Sequence, residues 1–242
     1  MVSFGKLQES HPLSPVQAGM LMHSLQEKDS GTYFQQLIIT CFRPVNFKHW
    51  HRAWEQLVER HDMLRVRFDI ENQARPLQHV YARASGSFRE HDWTIFPEEE
   101  QEKRFEAFLQ FDRRQGFDFS KSLPWHWNLF RLSDSCSRLV WSSHHALFDG
   151  RSRLLLLEEL FSLYDSLEDG TTPNLPQPCP VDDYLRWACS MDEESARNYW
   201  DEYLRGFSKP SLIPDFAASA SDRIKAKGHI TLADHIPESL TT

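Results

Sequence analysis

The chain has 242 residues, enough to bury a core as one large domain or two modest ones. Hydrophobic residues make up 40%, aromatic residues 13% and charged residues 26%, a balance that excludes a disordered, fibrous or disulfide-stapled chain. The 27 Lys and Arg against 35 Asp and Glu give a formal net charge of −8 with no basic run, which argues against nucleic acid and anionic membrane as partners.

Cysteines stand at 41, 136, 179 and 189 with no CxxC pair, so neither a disulfide framework nor a thiolate zinc site is expected. The start, MVSFGKLQES, lacks the charged-then-apolar pattern of a signal peptide, and no apolar run approaches the roughly 18 residues of a membrane span. The expected location is the cytoplasm.

Residues 1–12 read as a short polar lead. Ser14, Pro15 and Gln17 then form a helix start: Ser14 caps, Pro15 suits the first turn, and Gln17 stands three after the cap, with the helix running to about Gln26. Tyr33 to Phe42 is rich in β-branched and aromatic residues and predicts a strand. Asn46 caps a segment in which Phe47, Trp50, Trp54, Leu57 and Val58 recur at helical spacing up to His61, so that face must be buried. Leu64–Ile70, Leu77–Ala82 and, more weakly, Ser87–Trp93 read as strands. Pro97 opens a charged helix, acidic in its first turn and basic in its last as the helix dipole favours.

Trp125–Leu132 and Arg138–Ser143 read as strands joined by the polar turn SDSCS, a hairpin that makes the sheet mixed. Ser152–Tyr164 predicts a helix apolar on more than one side, packed between layers. Prolines break regular structure through DGTTPNLPQPCP, two short helices follow at about Val181–Ser190 and Asp192–Leu204, and 206–228 reads as a linker. No internal repeat is evident. Strands alternating with helices imply an α/β sandwich.

The chemistry concentrates in WSSHHALFDGRSR, residues 141–153, at a strand end. Consecutive strand residues point to opposite faces, so His144 and His145 cannot both enter one pocket. The pair could be structural, and Asp149-Gly150 could be no more than a turn and helix start, Asp as cap and Gly as the residue that tolerates positive φ. A metal site lacks the HExxH spacing. A general base fits better: a neutral imidazole near pH 7 can take a proton from an attacking amine or hydroxyl. Ser142 and Ser143 are outside any GxSxG, so direct attack of one bound substrate on another is favoured over a covalent enzyme intermediate.

His144–Gly150 is HHxxxDG and resembles the signature of the condensation domains of nonribosomal peptide synthetases, which related acyl-CoA-dependent acyltransferases partly share. LSPVQAGMLMHSL at 13–25, followed by GTYFQQ at 31–36, resembles that family's opening motif, LSPxQxGMLFHSL. RHDMLR at 60–65 resembles its RHExLR with Asp62 for Glu, and EELFSLY at 158–164 and NYWDEYL at 198–204 fit as well. The likeness covers most of the chain.

The resemblance implies a chloramphenicol acetyltransferase-like fold: an α/β sandwich with a mixed, largely antiparallel sheet, as one of two lobes facing across a tunnel. It implies amide formation between an upstream carrier-bound acyl or peptidyl thioester and a downstream carrier-bound aminoacyl amine. No cofactor would be bound directly and no metal is implied; the substrates would ride on the 4'-phosphopantetheine of upstream and downstream peptidyl carrier proteins, within a synthetase that also holds an adenylation domain. His145 would be the catalytic histidine, acting as base or orienting the amine and stabilising the tetrahedral intermediate. His144 and Asp149 would hold the loop, Asp149 facing away as a salt-bridge partner, and Gly150 would leave room beside the tunnel. Arg60 and Arg65 would be structural, fixing the strand that follows. HH in place of DxxxxD argues against the heterocyclising branch.

On this reading residues 1–206 are the N-terminal lobe, and 207–242 are a linker and the start of a missing C-terminal lobe without which little activity is expected. Two other functions fit the same residues: a stand-alone acyltransferase using a soluble acyl-CoA, and a non-catalytic carrier-docking module.

Overall fold

The structure is a computed structural model that describes residues 3–27, 30–70 and 76–209. The chain divides into two units, Met1–Met191 and Asp192–Thr242. From residue 210 onward, the expected linker and start of a second lobe lie outside the described residues.

The first unit is built on a mixed four-stranded sheet. Its strands are β3 (Phe34–Cys41), β7 (Ser87–Asp92), β8 (Trp125–Arg131) and β9 (Ser137–His144), in the order β3-β9-β8-β7. β3, β9 and β8 are antiparallel, β8 and β9 forming the predicted hairpin, and β7 joins β8 in parallel. Alternation along β8 and β9 sends Trp125, Trp127, Leu129, Leu139 and Trp141 to one face and Phe130 and Val140 to the other. The first face is covered by α2 (Phe47–Arg60) and α4 (Gly150–Asp169), the second by α3 (Glu98–Gln115) through Phe105 and Leu109. Helices on both faces of one sheet make the α/β sandwich that the element order predicts.

α2 is capped by Asn46, whose side chain accepts from the N–H groups of Lys48 and His49, and it buries Phe47, Trp50, Trp54, Leu57 and Val58. Each such side chain contributes about 1.5–3 kcal/mol by leaving water. Trp54 lies edge-on to Trp125, Trp127 and Trp141 with centroids 5.2, 5.2 and 4.9 Å away. This aromatic knot joins α2 to β8 and β9.

A second, three-stranded sheet corrects the expected polar lead. β2 (Leu7–Pro12) pairs antiparallel with β5 (Leu77–Tyr81), which pairs with β4 (Val66–Asp69); a short 3-10 turn, Asp62–Arg65, precedes β4. β2 is an edge strand without a buried apolar face, so no hydrophobic alternation marks it in LQESHP. Two further two-residue strands, β1 (Ser3–Phe4) and β6 (Ala84–Ser85), pair with each other. Gly86 follows at a point where a Cβ would lie 2.2 Å from the Trp125 ring.

α1 (Pro15–Gln26) begins with the predicted capping box: Ser14 Oγ accepts from Gln17 N–H and Gln17 Oε1 from Ser14 N–H. α4 departs from its prediction. It is longer than expected, but Leu154 and Leu155 are 62% and 55% exposed, so one stripe is buried rather than two sides. α5 (Val181–Cys189) closes the first unit, and α6 (Glu193–Tyr203) lies in the second. Cys41, Cys136 and Cys179 are free thiols, and among the described residues no helix is long and apolar enough to cross a membrane.

Candidate active site

β9 ends at His144, and the chain turns through His145–Asp149 into α4. The turn is fixed by backbone bonds: His144 N–H to the Pro124 carbonyl (2.9 Å), His145 N–H to the Tyr33 carbonyl (2.9 Å) and Leu147 N–H to the His144 carbonyl (3.1 Å). Tyr33 holds its carbonyl there from a left-handed backbone, φ 63°, a conformation that costs a non-glycine residue about 1 kcal/mol or more.

The two histidine rings differ in burial and in partners. His144 is 2% exposed, lies edge-on to Phe119 at 5.1 Å, and is bonded at both nitrogens: Nε2 to Ser24 Oγ (2.9 Å) and Nδ1 to Ala146 N–H (3.2 Å). Burial, helped by the neighbouring His145, pushes its pKa down to about 4. It is therefore a neutral structural ring at physiological pH.

His145 is only half-buried, with Nδ1 3.0 Å from the Phe148 carbonyl oxygen. A carbonyl can only accept, so Nδ1 carries a hydrogen, and in the neutral ring Nε2 then holds the lone pair. Such a ring can take a proton from an amine or hold its N–H.

Asp149 is exposed and caps α4, its Oδ1 accepting from Ser152 N–H at 2.8 Å. That backbone bond holds its carboxyl below the usual carboxylate range. Among the described residues it has no ion-pair partner. Gly150 is the first residue of α4, its φ is not positive, and a Cβ there meets no atom of the described residues within 4 Å. Neither local packing nor backbone conformation demands glycine, contrary to a turn that needs positive φ.

Arg65 is buried and directs its guanidinium at the Tyr81 carbonyl of β5 (2.8 Å), the Val58 and Glu59 carbonyls of α2 (2.6 and 2.8 Å) and the Asp62 carboxylate. Arg60 reaches elsewhere, to Glu159 of α4 (3.0 Å) and the Pro176 carbonyl (2.7 Å). Neither arginine makes a described contact with the histidine loop.

Arg153, which sequence reasoning passed over, does belong beside the loop. Its guanidinium bonds the Gln35 side chain, lies 3.4 Å from Ser143 Oγ, and sits near the Trp141 and Phe148 rings at 5.8 and 5.7 Å. Burial pushes its pKa below the ordinary value. Its spacing, one helical turn after Asp149, is the signal that could have marked it.

Metal chemistry finds no ligand set in the loop: among the described residues the group of carboxylate and imidazole atoms close enough to share an ion is Glu9, His11 and Asp182. A cavity of about 370 Å³ lies between α2 and the β1–β6 pair, lined among others by Phe4, Arg52, Glu55 and Trp125, with no residue of the loop.

A family model described as condensation domain matches residues 7–242. Bacitracin synthase 1 of Bacillus licheniformis is 34% identical over 89% of this chain, and a linear gramicidin synthase of Brevibacillus parabrevis is 33% identical over 99%. The chain spans only 4% and 3% of those two relatives' own lengths. Among solved structures, the starter condensation domain of rhizomide synthetase superposes with a TM-score of 0.72 at 18% identity, covering 84% of this chain and 50% of that one. The first condensation domain of the calcium-dependent antibiotic synthetase superposes with a TM-score of 0.68 at 20% identity, covering 84% and 49%.

Proposed function

The chain belongs to the condensation domain family, and on that premise we propose that residues 1–206 are the N-terminal lobe of a nonribosomal peptide synthetase condensation domain. It joins an upstream carrier-bound acyl or peptidyl thioester to the amine of a downstream carrier-bound aminoacyl group. The observation that carries the reading is the His145 ring, donating from Nδ1 to the Phe148 carbonyl and so offering a lone pair at Nε2 from a half-buried position.

The amine nitrogen attacks the thioester carbonyl carbon, forming the C–N bond. Its proton passes to His145 Nε2 as the tetrahedral intermediate forms or collapses. The C–S bond then breaks, and the proton leaves the imidazolium for the departing thiolate. No covalent link to the protein is needed. The 4'-phosphopantetheine arms of the two carriers bring both reactants, and an adenylation domain of the same synthetase loads one. The reaction belongs to the cytoplasm.

In this reading His144 and Asp149 hold the loop, and Gly150 keeps the approach open: since nothing among the described residues crowds a Cβ there, the constraint comes from substrate or from the facing lobe. The chain spans about half of the solved condensation domains it resembles. That supports a tunnel whose opposite wall, and the ionic partner of Asp149, come from a second lobe.

The test is transfer between a donor-loaded and an acceptor-loaded carrier, with this chain alone and with a C-terminal lobe added. The expected result is little product from the chain alone, product when the lobe is present, and loss of that product in His145→Ala. Full turnover by the chain alone, or turnover with free acyl-CoA in place of the carrier-bound donor, overturns the reading. Carrier binding without transfer, indifferent to His145→Ala, points to a docking module.

A further inference from the structure

We propose that Gln17 and Ser24 of α1 are positioning residues for His145, gripping the chain on both sides of it and so fixing which of its ring nitrogens holds the lone pair. The inference rests on reading His145 as the reacting histidine. The two residues are seven apart, hence on one face of α1 two turns from each other. Ser24 takes hold of His144, the residue before His145; Gln17 takes hold of Ala146, the residue after it.

Ser24 Oγ has one hydrogen and is placed to donate it to the Met20 carbonyl at 3.0 Å or the Thr32 carbonyl at 3.3 Å. Towards His144 it presents only lone pairs, so the 2.9 Å contact requires a hydrogen on His144 Nε2. At the other side of the ring, Nδ1 receives the Ala146 N–H at 3.2 Å and must therefore be bare. Both ends demand the same neutral tautomer. The ring becomes a strut from α1 to the Ala146 amide.

Gln17 completes the grip. Its Nε2 donates to the Ala146 carbonyl at 3.2 Å, and its amide is paired reciprocally with that of the fully buried Gln78, at 3.2 and 3.1 Å. Gln78 is tied in turn to the Pro12 carbonyl at 3.0 Å. With His145 N–H on the Tyr33 carbonyl, the amide groups of 145 and 146 and the carbonyl of 146 are all held. In the turn so fixed, the Phe148 carbonyl lies 3.0 Å from His145 Nδ1.

Without the Ser24 hydroxyl, a buried Nε2–H has no acceptor, which favours moving the hydrogen to Nδ1. That hydrogen would then oppose the Ala146 N–H and push the turn open. His145 would lose its carbonyl partner and its tautomer preference.

The experiment is long-range proton–nitrogen spectroscopy of the histidine rings in the 15N-labelled full chain at pH 8, with circular dichroism as the check on folding. The unmodified chain should show His144 as the Nε2–H form and His145 as the Nδ1–H form. Ser24→Ala and Gln17→Glu should each lose the Nδ1–H signature of His145, and Ser24→Thr should restore it. Unchanged His145 signals in either folded variant overturn the proposal, and if Ser24→Ala does not fold, Gln17→Glu decides. The readout needs no turnover: a tautomer shift in a chain whose His145 proves dispensable for transfer would uphold the positioning and defeat only the catalytic reading.

Discussion

Ser142 Oγ of strand β9 donates a 2.6 Å hydrogen bond to Asp112 of α3, and this carboxylate is one of the points where the helix is fastened to the sheet. Gln36 Nε2 donates to the same oxygen at 2.9 Å, and His126 Nε2 meets the other at 2.7 Å. Gln36, Ser142 and His126 are register partners across three strands, so one row on one face of the sheet converges on one buried acid. Burial alone would raise the Asp112 pKa, but the bonds from His126, Ser142 and Gln36 outweigh it and hold it below the ordinary value. Removing the carboxylate takes the acceptor from buried Ser142 and the partner from half-buried His126, and leaves Gln36 only the Leu109 carbonyl. Asp112→Ala should therefore cost about 2–4 kcal/mol in urea unfolding at pH 7, with Asp112→Asn, which keeps an acceptor, costing less. A loss below about 1 kcal/mol for the alanine variant would show that the row finds other partners.

Gly86 makes a sharper demand. A Cβ there would meet the Trp125 ring at 2.2, 2.3 and 2.9 Å, and Trp125 cannot retreat, because its Nε1 is bonded to the Leu64 carbonyl at 2.8 Å and its ring packs on Trp54. Gly86→Ala should destabilise by about 1–3 kcal/mol or more. The penalty should shrink in a Trp125→Phe background, because the smaller ring vacates the space. A double-mutant cycle in urea reads that coupling directly, and additive effects would contradict the clash.

These contacts mark the boundary of what a reader of the sequence can find. Asn46 announces α2 and its tryptophans announce the buried face, since both signals act within a few residues. HHALFDG announces the loop, and the two-residue period expected of a strand separates His144 from His145 in the sequence reading. β2 stays silent because an exposed edge strand carries no apolar alternation. α4 misleads because Leu154 and Leu155 are apolar yet exposed, and hydrophobicity alone does not say which leucines are covered. Asp112, Gln17 and Ser24 were visible letters whose partners lie 30, 129 and 120 residues away. Only the strand register and the packing of α1 bring them together.

The two arginines of RHDMLR separate by the same reasoning. Arg65, whose side chain is 8% exposed, satisfies three carbonyls and one carboxylate with the planar fork of its guanidinium. A lysine has neither the fork nor the reach. Arg65→Lys should cost about 2–4 kcal/mol. Arg60, 25% exposed and paired with Glu159, sits closer to the surface regime, and Arg60→Lys should cost about 1 kcal/mol or less. Thermal and urea unfolding of the two variants would show the ranking, and equal losses would mean that the Arg65 carbonyl contacts carry no special weight.

The depressed pKa of His144 also sets the acid behaviour of the loop. In the folded chain the ring is neutral down to about pH 4, because burial penalises its charged form; in the unfolded chain it takes up a proton near the ordinary 6.5. Between those values the unfolded state binds one more proton than the native state, so stability rises with pH across the window and is lost as pH falls through it. Below about 4 both states are protonated and the contribution levels off. The size is roughly 3 kcal/mol for a gap of this width. His144→Gln removes the titration while leaving an amide able to donate and accept in the same space. The stability advantage of the unmodified chain over that variant should therefore shrink by this amount between pH 7.5 and pH 4, read from urea midpoints at half-unit steps. Parallel curves for the two proteins would mean that the His144 ring takes up its proton in the fold as readily as in the unfolded chain, against both its burial and the Ala146 N–H pointing at its Nδ1.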